Sequence, residues 1–115
     1  MSVTDSEFGD AICQLVKDLC MQAEALLGKD DDRLEATTEL LTQTIWRTVC
    51  EFVNVDLKEI RIDEEKLQYM FSTIQGRVLT LWESLMPPDQ QCDALKSIAT
   101  QRIWHRYEPL RAMVI

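Results

Sequence analysis

"DEEKLQYMFSTIQGRVLTLWESLM", residues 63–86, carries Leu67, Met70, Phe71, Ile74, Val78, Leu81, Trp82 and Leu85 at intervals of three and four. That spacing gathers the apolar side chains on one stripe of a 3.6-residue helix, where a strand would need strict alternation. Asp63 offers a carboxylate to the unpaired N–H groups of the first turn. Pro87-Pro88 stops the helix, because neither ring supplies an N–H and each disfavours helical geometry in the residue before it. A helix over residues 64–86 follows. Gly76 lies in its interior at a cost of about 1 kcal/mol relative to alanine, and marks a place for a local kink.

The same period extends outward along the chain. Thr4-Asp5-Ser6-Glu7 has the T-x-x-E form of a capping box and starts a first helix, residues 5–27. Its core stripe is Phe8, Ile12, Leu15, Val16, Leu19, Ala23 and Leu26, and Gly28 supplies a left-handed cap. Asp30-Asp31-Asp32 forms a turn and N-cap cluster whose charge suits the positive end of the next helix dipole. That helix, residues 33–53, faces the core with Leu34, Leu41, Ile45, Val49 and Phe52, with Thr37, Thr38 and Thr48 between them. Residues 54–62 fit neither period and read as a long connection with one helical turn. After the prolines, Asp89 caps a last helix, residues 90–107, carrying Cys92, Leu95, Ile98, Ala99, Ile103 and Tyr107. Pro109 ends or bends it and leaves an apolar tail, residues 108–115. The expected fold is all-α: a single domain over residues 1–115, folded as a mainly antiparallel four-helix bundle.

At 115 residues the chain is long enough for a core without covalent staples. No apolar run reaches the roughly 18 residues of a spanning helix. The opening MSVTDSEFGD has acids where a signal peptide needs a basic region, so the expected location is cytoplasmic. Cys13, Cys20, Cys50 and Cys92 show no metal-ligand spacing, and in a reducing compartment they read as small buried apolar residues. The formal charge of -8 is uneven: residues 1–65 hold 16 acids against 6 bases, residues 66–115 hold 4 against 6. An acidic balance disfavours direct contact with nucleic acid or an anionic membrane and favours a protein partner with a basic surface.

Catalytic signals are sparse. The sole histidine, His105, sits in one reversed His-x-x-Glu, which reads as a cation near a helix C-terminus. Glu7-x-x-Asp10 and Asp32-x-x-Glu35 are similar to the carboxylate pairs with which all-α nucleotide pyrophosphatases of the MazG type hold magnesium. Helical phase turns Glu7 and Asp10 away from the core face, so this enzyme is a minor alternative. No catalytic residue, metal ligand or cofactor is expected.

Binding residues are easier to nominate. Glu35, Glu39 and Trp46 share a stripe beside the core face of the second helix. With Asp30, Asp31 and Asp32 they form an acidic approach to an aromatic anchor. Arg102, Trp104, Arg106, Tyr107, Leu110 and Met113 close the chain as a basic, aromatic and apolar set suited to self-association, part of whose charge a helix C-terminus welcomes. Thr4 to Phe8 leading into Cys13-Gln14-Leu15-Val16-Lys17-Asp18-Leu19-Cys20 resembles the first helix of the small acidic immunity proteins that neutralise nuclease colicins. That family also binds through a Tyr-Tyr-Pro absent from this chain, so the likeness implies a type of protein and no membership. The expectation is a non-enzymatic acidic helical module that binds a protein with a basic functional surface, of the immunity or inhibitor type. The alternative is a homo-oligomeric structural subunit or assembly adaptor built on the last helix and tail.

Overall fold

The computed structural model describes residues 2–85 and 90–114. Four helices run α1 (Asp5–Leu27), α2 (Arg33–Phe52), α3 (Glu64–Leu85) and α4 (Gln90–Val114), with a short strand β1 (Ser2–Thr4) ahead of α1 and another, β2 (Glu59–Arg61), between α2 and α3. Each helix packs on its chain neighbours, and α4 closes back onto α1. Side-chain partners give the directions. Along α3 and α4, Glu64 meets Arg111, Gln75 meets Trp104 and Glu83 meets Lys96, so one helix rises as the other falls. Asp18 with Arg106 and Gln22 with Leu95 give the same antiparallel sense for α1 and α4. The fold is an all-α helical bundle.

The core follows the stripes that the spacing predicts, except that Ile98, expected on the stripe of the last helix, is 39 % exposed. Phe8, Ile12, Leu15 and Leu19 of α1, Leu41, Ile45 and Val49 of α2, Leu67, Phe71, Ile74 and Trp82 of α3, and Ala99, Ile103 and Leu110 of α4 are buried in one cluster. Caps follow local chemistry. Thr4 Oγ1 accepts from the Glu7 N–H at 3.2 Å, and Asp63 Oδ1 accepts from the Lys66 N–H at 2.7 Å. At α2 the capping role passes from Asp32, whose side chain makes no cap bond, to Asp31, whose Oδ1 accepts from the Arg33 N–H at 2.7 Å.

Three expectations are corrected. Residues 54–62 hold one hydrogen-bonded turn, closed by the Leu57 N–H on the Asn54 carbonyl at 3.4 Å, and then a strand that the spacing does not predict: β2 lies antiparallel to β1 with Val3 opposite Ile60, both almost fully buried. The Asp5 N–H donates to the Lys58 carbonyl at 2.9 Å, so the ribbon is fastened to the start of α1. Val3 also precedes the cap and Phe8 lies in the first turn beyond it, the two positions of a hydrophobic staple. Three residue pairs are too few to show a period, which is why the spacing missed them.

The tail is the second correction. α4 does not end near Pro109 but continues to Val114 with the proline inside it. The ring deprives the His105 carbonyl of its N–H partner, yet His105 and Pro109 both lie on the exposed side, where solvent has access to that carbonyl. Burial of Leu110 and Val114, at roughly 1.5–3 kcal/mol each, offsets a mid-helix proline cost of about 3 kcal/mol. Arg111 adds an ion pair to Glu64 at 2.7 Å. Helix continuation also removes the dipole account of His105, Arg102 and Arg106, which lie well before the last turn, where such effects fade.

The cysteines are the third. Only Cys92 is buried; Cys20 is half-buried, and Cys13 and Cys50 are exposed, because both fall off the core stripes of their helices. Pro87, Pro88 and Asp89, expected to stop α3 and cap α4, lie outside the described residues.

Gly76 sits on the exposed side of α3, and a Cβ placed there meets nothing within 4 Å. Gly76→Ala is therefore expected to stabilise the fold by about 1 kcal/mol in urea unfolding. A loss of stability would mean that the position packs against something this fold does not contain.

Candidate functional site

The turn between α1 and α2 builds an acidic corner. Gly28 ends α1 with φ 88° and ψ 153°, a backbone conformation outside the left-handed helical well but still one that side chains disfavour. Its N–H donates to the Glu24 carbonyl at 2.8 Å, its own carbonyl accepts from the Asp31 N–H at 3.3 Å, and the Asp31 carbonyl accepts from the Leu34 N–H at 3.1 Å. Asp31 is thereby held at the start of α2. The Arg33 guanidinium clamps its carboxylate with Nε at 3.1 Å and Nη2 at 3.0 Å, which holds that carboxyl below the usual range.

The other acids of the turn stay open. Asp30, Asp32 and Glu35 are exposed and make no ion pair within the described residues. They border a concavity of ≈ 760 Å³ whose α1 wall is Lys17, Cys20, Met21 and Glu24 and whose α2 wall includes Leu34 and Thr38. Five carboxylates against two lysines line it, so its potential is negative. Met21 is 64 % exposed and is the apolar contact of the corner. Its place in the sequence gave a usable signal, since position 21 falls off the α1 core spacing and leaves a large apolar side chain with nothing inside to cover.

The nominated acidic set is divided by the structure. Asp30, Asp31, Asp32 and Glu35 come together at the corner, whereas Glu39 and Trp46 do not line it. Glu39 is exposed and accepts from Gln43 Nε2 at 3.4 Å. Trp46 is half-buried and packs against the core, so its surface is largely spent within the fold.

Most of the closing set is also spent internally. Arg106 Nε donates to Asp18 Oδ2 at 2.6 Å and Nη2 to Oδ1 at 3.2 Å. Trp104 Nε1 donates to Gln75 Oε1 at 2.6 Å, and its ring meets Tyr107 edge-on at 5.0 Å between centroids. Tyr107 in turn packs on Phe71, and Leu110 is buried. Burial pushes the Tyr107 hydroxyl above its ordinary value, so its folded state favours the neutral form. Met113 remains 37 % exposed, and Arg102 is half-buried with an unpartnered Nε.

A second concavity of ≈ 830 Å³ lies between α2 and α3, with Leu40 and Arg47 on one wall and Thr73, Gly76 and Thr80 on the other. Arg77 crosses it, donating through Nη1 to Thr48 Oγ1 at 2.6 Å and to Glu51 Oε2 at 2.8 Å. These groups satisfy one another and leave no base poised beside a nucleophile. Burial pushes the Cys20 thiol up, opposite to the shift that activates a nucleophile.

The two carboxylate pairs cannot share a metal. Glu7-x-x-Asp10 starts α1 and Asp32-x-x-Glu35 starts α2, and the two helices are joined by a tight turn that sets those starts at opposite ends of the bundle. Among the described residues no group of three or more histidine, cysteine or acidic side chains is placed to hold a metal ion. No described helix is long and apolar enough to cross a membrane.

Comparison with known proteins yields no matching family, no matching curated protein and no matching solved structure. Millimolar magnesium is expected to leave the melting temperature unchanged to within about a degree, since a ligand stabilises only a state that binds it. A rise of several degrees would reveal a carboxylate–metal site.

Proposed function

We propose that the chain is a non-enzymatic protein-interaction module that engages a basic protein surface through the acidic corner at the α1–α2 turn. The observation that carries this reading is the open state of Asp30, Asp32 and Glu35 around an exposed methionine. Acids paired within the fold would be surface decoration worth little. Unpaired acids on a hydrogen-bonded turn, with an apolar side chain among them, give a partner both steering charge and area to bury. An immunity protein or inhibitor works in this way when the basic surface it covers is the partner's own functional site. Inhibition is then occlusion and needs no chemistry from this chain.

Asp31 plays a different part from its neighbours. Its carboxylate is committed to Arg33 and to the α2 cap, so it shapes the corner while Asp30, Asp32 and Glu35 present charge. The expected test compares capture of a basic partner by the wild type and by Asp32→Lys/Glu35→Lys. The variant should bind at least about tenfold more weakly at low salt, and much of the difference should vanish at about 0.5 M salt as the charges are screened. Equal affinity with an equal salt slope would place the binding surface elsewhere.

A further inference from the structure

The outer face of α3 is nearly bare of charge. From Leu67 to Trp82 the only charged residue is Arg77, and that side chain is turned onto α2, where it meets Thr48 and Glu51. At about 100° per residue, Tyr69, Thr73, Gly76 and Thr80 fall on one strip of the helix, beside the concavity shared with α2. Tyr69 is 66 % exposed, and Leu40, across the concavity on α2, is 46 % exposed. Depletion of charge together with an exposed tyrosine is the composition of an interface centre. Gly76 points the same way: the fold makes no use of the missing Cβ, whereas a backbone approaching from outside would.

The two ends of this face differ. Tyr69 stands at one end, its ring 5.5 Å from that of Phe52 on α2 and so over the line between the helices. Leu40, Leu81 and Ser84 border the other end, where the concavity is open. Both ends lie about two turns from the middle, since Tyr69 comes seven residues before Gly76, Ser84 seven after Arg77, and Leu40 eight before Thr48, which Arg77 touches. At the middle, Arg47 is exposed and has no hydrogen bond or ion pair among the described residues. Glu51, four residues later, is exposed beside Arg77.

Those positions match under a half-turn. A two-fold axis lying in the face, perpendicular to the helices and level with Gly76 and Arg77, carries Tyr69 to the level of Ser84. On α2 that level falls between Thr48 and Glu51, both held by Arg77, so the same rotation brings Arg47 toward Glu51. We propose that the α2–α3 face is the interface of a two-fold dimer, in which Tyr69 of each copy enters the Leu40–Leu81 end of the other's concavity and Arg47 of each pairs with Glu51 of the other. Gly76 lets the two α3 backbones approach at the axis. The occupant is a second copy because one face carries both the projecting ring and its recess, equally spaced from the middle, and both the cation and the acid that exchange across it. Copies of a chain with formal charge -8 repel one another, and here they meet without bringing unpaired acids together: Glu51 is held by Arg77 and Glu83 by Lys96. The acidic corner is walled by α1 and α2, so the dimer leaves it open.

The test is sedimentation velocity on the full chain from about micromolar to about millimolar concentration, with thermal unfolding of each variant as a control on the fold. The wild type is expected to dimerise within that range. Tyr69→Ala and Arg47→Glu should each weaken the dimer about tenfold or more. Gly76→Ala should act in two directions, raising the stability of the dilute monomer while weakening the dimer. Ile98→Asp, exposed on α4 and away from this face, should leave dimerisation unchanged. A wild type that stays monomeric throughout overturns the proposal, as does a dimer indifferent to any of the first three substitutions. Loss of the dimer in Ile98→Asp at an unchanged melting temperature would move the contact to α4 and overturn it equally.

Discussion

One buried amide sets the relative positions of three helices. Gln22 on α1 is 4 % exposed; its Nε2 donates to the Leu95 carbonyl of α4 at 2.8 Å and its Oε1 accepts from Trp82 Nε1 of α3 at 3.1 Å. Apolar stripes tolerate sliding, since leucine against leucine is nearly as good one turn along. A buried amide does not, because a shift of one turn would leave the indole N–H and the amide without partners, at about 1–3 kcal/mol for each group. Gln22 thus fixes the register of α1 against α3 and α4. The Asp18–Arg106 pair on the rim then falls into place four residues away.

The candidate binding surface inherits that register. The acidic corner is the far end of α1 together with the turn that Gly28 and Asp31 close, so its concavity depends on where α1 stops. The uneven charge along the chain acquires a spatial meaning here. Acids concentrate at the turn, where Asp30, Asp32 and Glu35 make no ion pair among the described residues, while late arginines pair with acids of the first 65 residues, Arg77 with Glu51, Arg106 with Asp18 and Arg111 with Glu64.

Much of this was legible in the sequence wherever a local rule acted alone. The start of α1 at Asp5 and of α3 at Glu64 followed from side chains that cap their own helices, and the core stripes followed from spacing. The misses came where tertiary contact outweighs local preference. Pro109 reads as a stop, but Leu110 and Val114 gain enough by burial to carry the helix past it. The ribbon of Val3 and Ile60 rests on a pairing between residues far apart in the chain, which no local period displays. Trp46 read as an anchor because an exposed and a half-buried tryptophan look alike in a helical projection. Met21 was legible and overlooked, since its phase alone sends it to solvent. Gln22 had no sequence signature, being a polar residue on a core stripe whose two partners lie 60 and 73 positions away.

The most direct measurement is a double-mutant cycle on the amide, with Gln22→Met, Trp82→Phe and both together followed by urea unfolding. If the amide locks the register, each single variant leaves a buried polar group unpaired, and the double variant costs less than their sum by about 1 kcal/mol or more. Strict additivity would show that Gln22 and Trp82 do not depend on each other, and that apolar packing alone decides how the helices align.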